Sequence, residues 1–446
     1  MATTYLSRTS GTPTDSKKTT LSVWLKRSGL GTGTFFGGGA DSNNMTFINF
    51  NPNGKIFLQS SSGGSNTLVF VTTQVFRDTS AWYHIVVAID TTQGTASNRV
   101  KLYVNGVQVT AFDTETQPSQ NLELEWNKSG KTLEIGKYLF QSTYSIYDGS
   151  MSHFNFIDGT QELPTVFGET DSTTGEWKIK TSLSVTYGNN GFFILKDGNS
   201  VTDQSGNSNN WTLAAGTLTN TEDCPDNVFA TNNPLDFPQS NATFANGNLT
   251  WSTTTASQYF WTRSTLGASS GKYYFEAKLS SASSYNHIGI TDTSPASATT
   301  SLEDGAYNWG YKNSDGYIYN NGSGSSYGST FTTGDIISVA LDLDNNKLYF
   351  RKNNDAWNNS GDPTSGATGT GAISITAPAS TSTGNYFFCV SDNSSSNNVT
   401  WQSNFGNGYF GTTAVSSAGT NASSIGVFEY DVPTGYTALS TKGLNL

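Results

Sequence analysis

Short alternating runs of apolar and polar residues, bounded by Gly, Asn, Ser or Asp, recur along most of the chain. Alternation sends successive side chains to opposite faces, so each run predicts a strand with one buried face. The first set opens with Leu21, Val23 and Leu25, continues through 45–50 and 55–58 across the turn Asn53-Gly54, and includes Leu68 to Val71. The run Trp82 to Ile89 is apolar at both parities, which predicts a central strand covered on two sides. Val100, Leu102 and Val104 lead into Asn105-Gly106 and resume at Val107 and Val109. Asn and Gly both tolerate φ > 0, so this pair predicts a tight hairpin.

A second set begins near residue 250. Tyr273, Phe275, Ala277 and Leu279 share one face, Ile288 and Ile290 follow, two runs flank Asp344-Asn345-Asn346, and 399–405 closes the set. Helical periodicity is almost absent, and less than about a tenth of the chain is expected to be helical, against about a third in ordinary globular proteins. The expected cores contain Trp82, Ile85, Val87, Leu102 and Val104 in the first set, and Phe275, Ile288, Ile290, Val339 and Leu341 in the second. The polar stretch 216–240, with Pro225, Pro234 and Pro238, predicts a linker between a first domain at 1–215 and a second at 241–412. Residues 413–446 form a tail, and the Gly/Ser/Thr/Ala-rich stretch Gly411 to Ser424 that leads into it is expected to cross the surface.

Composition narrows the function. Of 446 residues only 13% are charged, yet aromatics also reach 13%, with 21 Tyr, 26 Phe and 10 Trp. Aromatics build cores and separate the chain from disordered polar sequences. A net charge of −11 without any basic cluster disfavours nucleic acid, whose phosphates need a positive footprint, and equally an anionic membrane surface. Neutral glycans remain compatible ligands. No apolar run approaches the length of a membrane helix, and Met1 to Ser10 has no apolar core, so neither membrane insertion nor a signal peptide is expected. The two cysteines, Cys224 and Cys389, leave a disulfide open, with Cys389 expected as a buried small hydrophobe. His84, His153 and His287 show no zinc-ligand spacing.

The first half resembles laminin-G-like (concanavalin A-like) jelly rolls through Trp82-Tyr83-His84-Ile85-Val86, Val100-Lys101-Leu102-Tyr103-Val104-Asn105-Gly106, Leu133-Glu134-Ile135-Gly136 and Gly149-Ser150-Met151-Ser152-His153-Phe154-Asn155-Phe156. The second half resembles SPRY domains through Gly271-Lys272-Tyr273-Tyr274-Phe275-Glu276, His287-Ile288-Gly289-Ile290, Gly334 to Asp344, Leu348-Tyr349-Phe350 and Asn404-Phe405-Gly406. The resemblance implies an all-β fold: two antiparallel β-sandwiches, a jelly roll followed by a SPRY-like sandwich. The pairing, with strings such as Asn155-Phe156-Ile157-Asp158-Gly159, Phe167-Gly168-Glu169-Thr170-Asp171 and Asp203-Gln204-Ser205-Gly206-Asn207, is similar to virion structural proteins of tailed phages, marine ones in particular. That implies a virion surface protein (tail fibre, receptor-binding protein or capsid decoration). Its implied partners are other virion proteins, further copies of itself and a cell-surface glycan. The alternatives are a purely architectural subunit and a glycan-cleaving enzyme.

Candidate chemistry is sparse. Concanavalin-like folds include glycanases, and Glu123 and Glu125 in Leu122-Glu123-Leu124-Glu125-Trp126 would share one strand face with Trp126 as a sugar platform. The glycanase pattern has a third acid where Asn127 and Lys128 follow here, so a solvated strand face is the preferred reading and no catalytic residue is assigned. Laminin-G-like modules hold calcium through acidic rim residues. Ser152 and His153 replace the acidic pair of the family, which leaves Asp148 and Asp158 as weak candidates, and no cofactor is expected. Asp342-Leu343-Asp344-Asn345-Asn346 starts like a calcium loop but lacks its Gly and closing Glu, so it reads as a hairpin turn. His84 reads as a packed strand histidine. Ligand contact is expected from the aromatic loops carrying Tyr307, Trp309, Tyr311, Tyr317 and Tyr319.

Overall fold

The computed structural model describes residues 4–137, 140, 146–196, 198, 200–236, 242–254, 259–295, 301–393 and 398–446. Pro238 lies outside the described residues. The chain divides into two compact units, Met1–Asn220 and Thr221–Leu446. Strand makes up 43% and helix 6%, the latter only as 3-10 turns among the described residues, and both units are sandwiches as expected.

In the first unit an eight-stranded antiparallel sheet runs in the order Phe112–Thr116, Ser65–Thr72, Ile56–Ser62, Asn44–Phe50, Gly33–Asp41, Thr132–Ile135, Tyr5–Thr9, Thr212–Ala215. It packs on a six-stranded sheet ordered Phe192–Ile194, Gly149–Asp158, Lys18–Arg27, Trp82–Asp90, Val100–Val104, Val107–Gln108. Leu21, Val23, Leu25, Ile85, Val87, Ile89 and Leu102 fill the space between the sheets with Phe35, Phe36 and Trp126. Val86 and Ala88, at the other parity of the central strand, lie beneath Phe167 with Ile157 and Tyr103, so this strand is covered on both faces. Asn105 and Gly106 take φ of 47° and 80°, the conformation the hairpin needs.

In the second unit the larger sheet runs Ala242–Ala245, Thr250–Thr253, Thr400–Asn404, Lys272–Ser281, Ile336–Asp342, Lys347–Lys352, Ile373–Ser374. The smaller is ordered Phe260–Arg263, Phe387–Asp392, Asn286–Thr291, Trp309–Lys312, Tyr317–Asn320, Ser323–Ser326. Phe275, Ile288, Ile290, Val339 and Leu341 all lie in the shared core. Among the described strands of this unit one pairing departs from the antiparallel expectation: Tyr273 and Tyr274 pair in parallel with Thr437 and Ala438, a short strand contributed by the tail.

The ends of the second unit differ from the linker and tail expected at 216–240 and 413–446. Phe229 and Ala230 are buried, and Asn232 bridges to Ser264. Phe428, Val432, Tyr436 and Ala438 pack with Phe229 on Tyr274, Ala340 and Tyr349, on the face of the larger sheet that points away from the inter-sheet core. The physical reason is that this second face carries apolar side chains and needs a cover. Pro225 and Pro234, which suggested a linker, lie in turns between these anchors.

Candidate functional site

Strand parity sorts the aromatic residues expected to bind ligand. In Trp309–Lys312, Trp309 and Tyr311 turn into the core with Ile288 and Ile290, and burial pushes the Tyr311 hydroxyl up to about 12. They are core residues, not loop contacts, which corrects the expectation for both. Tyr307 packs half-buried against the same core. In Tyr317–Asn320, Ile318 points inward, so Tyr317 and Tyr319 point outward.

On this outer face the smaller sheet carries a polar and aromatic cluster. Gly316, at φ 74°, turns the chain between Trp309–Lys312 and Tyr317–Asn320, and Asp315 Oδ1 accepts from the Tyr317 amide at 2.9 Å. Asp315 Oδ2 accepts from the Tyr319 hydroxyl at 2.9 Å. Lys312 Nζ stands 4.5 Å from the Tyr285 ring centroid and 4.6 Å from that of Tyr319, a cation–π arrangement with two rings. Its charge is met by Glu303 at 3.5 Å and Asp315 at 3.6 Å. Glu303 is delivered by the short turn Leu302–Asp304, closed by a reciprocal cap between Ser301 and Asp304. The same turn lays Leu302 against Trp261 and Cys389.

His287 lies beneath this cluster, fully buried. Its Nε2 is 2.7 Å from Glu303 Oε1, and its Nδ1 is 3.2 Å from Ser391 Oγ, which also accepts the His287 amide at 3.1 Å. Burial pushes the imidazole below its usual range, with Glu303 pulling the other way. For Glu303 burial alone would raise the carboxyl, but His287 and Lys312 together outweigh it and hold it low. Lys312 is the mirror case: burial opposes its charge, and Glu303 and Asp315 hold it above the usual lysine range. Tyr285 and Tyr317, 48% and 38% exposed, present the cluster to solvent.

Two family models match the chain: the concanavalin A-like lectin/glucanases superfamily over residues 2–157 and the SPRY domain over 272–374. The chain carries a concanavalin A-like domain followed by a SPRY domain. Over 90 residues it is 35% identical to Ran-binding protein 9 of Danio rerio and of Homo sapiens, and 33% identical to the Ran-binding proteins 9/10 homolog of Drosophila melanogaster. These 90 residues are 20% of this chain and 15%, 12% and 9% of those proteins, so the chain spans only a small part of them. Among solved structures it is similar to the SPRY domain of human HERC1, at 17% identity and a TM-score of 0.29 over 36% of this chain and 91% of that one. It is also similar to a heptameric SAP-like pentraxin from Limulus polyphemus, at 18% identity and a TM-score of 0.27 over 36% and 71%.

The other candidates fall in the concanavalin A-like domain. Glu123 and Glu125 do not share a strand. Glu125 begins a 3-10 turn, buried, with Lys128 at 2.5 Å and Lys131 at 3.2 Å, whereas exposed Glu123 accepts from Ser16 at 2.6 Å. Trp126 is fully buried and packs on Phe36, so it offers no platform. The chain leaves the sheet here: Leu124 is extended, and Glu125, Trp126 and Asn127 follow as a 3-10 turn with all three side chains buried, a pattern that strand alternation does not give. Asp158 ties four segments together: its carboxylate accepts from the amides of Thr14 (2.6 Å), Asp15 (3.2 Å) and Asn190 (3.0 Å) and from Asn127 Nδ2 (2.9 Å). Asp148 is largely buried, and burial raises its carboxyl. His153 sits at φ 48° in a bulge of its strand.

His84 is the packed strand histidine expected. It stacks on Trp24 at 4.7 Å, its Nδ1 accepts from Trp177 Nε1 at 3.0 Å, and its Nε2 is 2.9 Å from Ser22 Oγ. An indole N–H can only donate, so Nδ1 carries the lone pair and Nε2 the proton. Burial pushes this imidazole down to about 3. In the SPRY domain, Asp342 to Asn346 is a hairpin turn, with Asp342 paired to Lys272 at 3.0 Å, and both cysteines are free thiols. The sequence reading missed Tyr285, Lys312, Glu303 and Asp315. Parity counted from Ile288, Tyr311 and Ile318 would have placed His287, Lys312, Tyr317 and Tyr319 on one face. Glu303 and Tyr285 come from loops and leave no such signal.

Proposed function

We propose that this is a non-enzymatic recognition and display protein of a virion surface, whose contact face is the outer face of the smaller SPRY sheet. The observation that carries this reading is the placement of Tyr285 and Tyr317, half-exposed aromatics held over a partly buried ion network. Aromatics fixed by a rigid scaffold are the usual material of binding hot spots. The same network argues against catalysis. Ser391, His287 and Glu303 have the residue types of a nucleophile triad, but Ser391 and His287 are fully buried and leave a substrate no approach. The virion setting rests on the resemblance of the domain pairing. A second reading, a subunit that docks a neighbouring protein, is favoured by the likeness to a segment of Ran-binding protein 9, whose name records a protein partner.

Antibody against the chain should decorate intact particles from outside. Labelling only after particles are disrupted would replace display with an internal role. The double variant Tyr285→Ala/Tyr317→Ala should abolish retention of the purified chain on host cells while leaving its circular dichroism unchanged. Undiminished retention would move the contact face elsewhere.

A further inference from the structure

Resting on the contact face just proposed, we infer that the Tyr285–Tyr319–Tyr317 strip is a binding site for neutral saccharides. Lys312 bridges Tyr285 and Tyr319, and the Tyr317 and Tyr319 rings lie 6.4 Å apart, tilted by 30°. Gly324, opposite Tyr319 on the edge strand, keeps the strip clear, since a Cβ there would come within 2.6 Å of the Tyr319 ring.

The charges around the strip select the ligand class. Glu303 and Asp315 supply two carboxylates against the single ammonium of Lys312, and His287 is held towards its neutral form. The local balance is negative, within a chain of net charge −11, so phosphate, sulfate or uronate groups would be repelled. A cationic guest finds its place taken, because Lys312 already fills the position between tyrosine faces and carboxylates that an ammonium ligand would occupy. What remains open is the solvent side of the rings. On this face the exposed edge strand Ser323–Ser326 places the hydroxyl of Ser326 beside Tyr317 and the bare Gly324 beside Tyr319. An aromatic surface beside neutral hydrogen-bonding groups matches a sugar ring, with its C–H face and its rim of hydroxyls, whereas a proline-rich peptide needs grooves between the rings.

The test uses the full chain on an array of neutral, sialylated and sulfated oligosaccharides with a proline-rich peptide alongside. It also uses host cells treated with periodate, which cleaves sugar diols, or with protease. Neutral oligosaccharides should bind with little dependence on salt, and saturation-transfer spectra should place sugar C–H protons against tyrosine rings. Tyr285→Ala and Tyr317→Ala should each weaken binding up to about tenfold, the worth of one aromatic contact. Tyr→Phe at either position should retain most of it, which separates ring stacking from the hydroxyl. Retention on cells should fall after periodate. Retention that needs Tyr285 and Tyr317 but survives periodate and is lost to protease would overturn the saccharide assignment while leaving the contact face standing. Preference for sialylated or sulfated ligands, or for the peptide, would overturn it equally. No tyrosine-dependent binding to array or cells would remove both readings.

Discussion

Removing the Glu276 carboxylate should release the C-terminal strap of the SPRY domain. Glu276 is fully buried on the outer face of the larger sheet, where residues 425–440 lie against it. Its oxygens accept the backbone amides of Glu429 at 2.8 Å and Tyr430 at 3.0 Å, and the Tyr274 hydroxyl at 2.8 Å. Arg351 completes the clip by donating to the Tyr274 hydroxyl at 3.0 Å and to the Asp431 carbonyl at 2.7 Å. Glu276→Ala strands two buried amides and unbalances Arg351, and losing one member of a buried charged network typically costs about 3–5 kcal/mol. Burial pushes the Glu276 carboxyl from 4.5 up to about 7, against the pull of the two amides, Tyr274 and Arg351. A shift of that size binds the proton about 3 kcal/mol more tightly in the folded chain. Because the folded value is raised, this stability is fully present below about pH 4.5 and is lost as pH rises through about 7.

The assay is hydrogen exchange of the full chain, read by mass spectrometry on peptides covering 425–440 at pH 5.5 and 8. After correction for intrinsic exchange, the native strap should be less protected at pH 8. Glu276→Ala should lose protection at both pH values, and Glu276→Gln should flatten the difference between them. Unchanged protection in Glu276→Ala would refute the reasoning, because the packing of Phe428 and Tyr436 would then hold the strap without the carboxylate.

His84 sets an opposite slope in the concanavalin A-like domain. Its folded value is depressed from 6.5 to about 3, so stability is full above about pH 6.5 and lost as pH falls towards 3. Tryptophan fluorescence from Trp24 and Trp177 during urea unfolding should report this acid loss, and His84→Gln should weaken it. Leu102→Ala should cost about 2–5 kcal/mol in urea unfolding, because Leu102 is fully buried between the sheets. Glu125→Gln should lower the midpoint of the same transition by breaking its contacts with Lys128 and Lys131, whereas exposed Glu123→Gln should leave it unchanged.

Parity along the strands was legible in the residues themselves. Leu102 alternates with Val100 and Val104, and Val339 with Ile337 and Leu341, and a period of two puts each set on one buried face. The double cover of Trp82–Asp90 was readable for the same reason, since Val86 and Ala88 would otherwise face water. The alternation between Trp309 and Lys312 was equally available, but grouping its aromatics with loop residues hid that Trp309 and Tyr311 belong to the core. Other features had no local signal. The linker prolines and the Gly/Ser-rich tail look alike whether they cross water or a sheet, and only the apolar outer face of Tyr274, Ala340 and Tyr349 decides that Phe229 and Phe428 come back to cover it. The recognition cluster is of the same kind. Tyr285, Glu303, Lys312 and Tyr317 come from separate loops and strands, and a charge pair or a ring contact depends on distance in space. Chain order therefore determined which residues face inward, and tertiary packing alone decided which outward-facing residues meet.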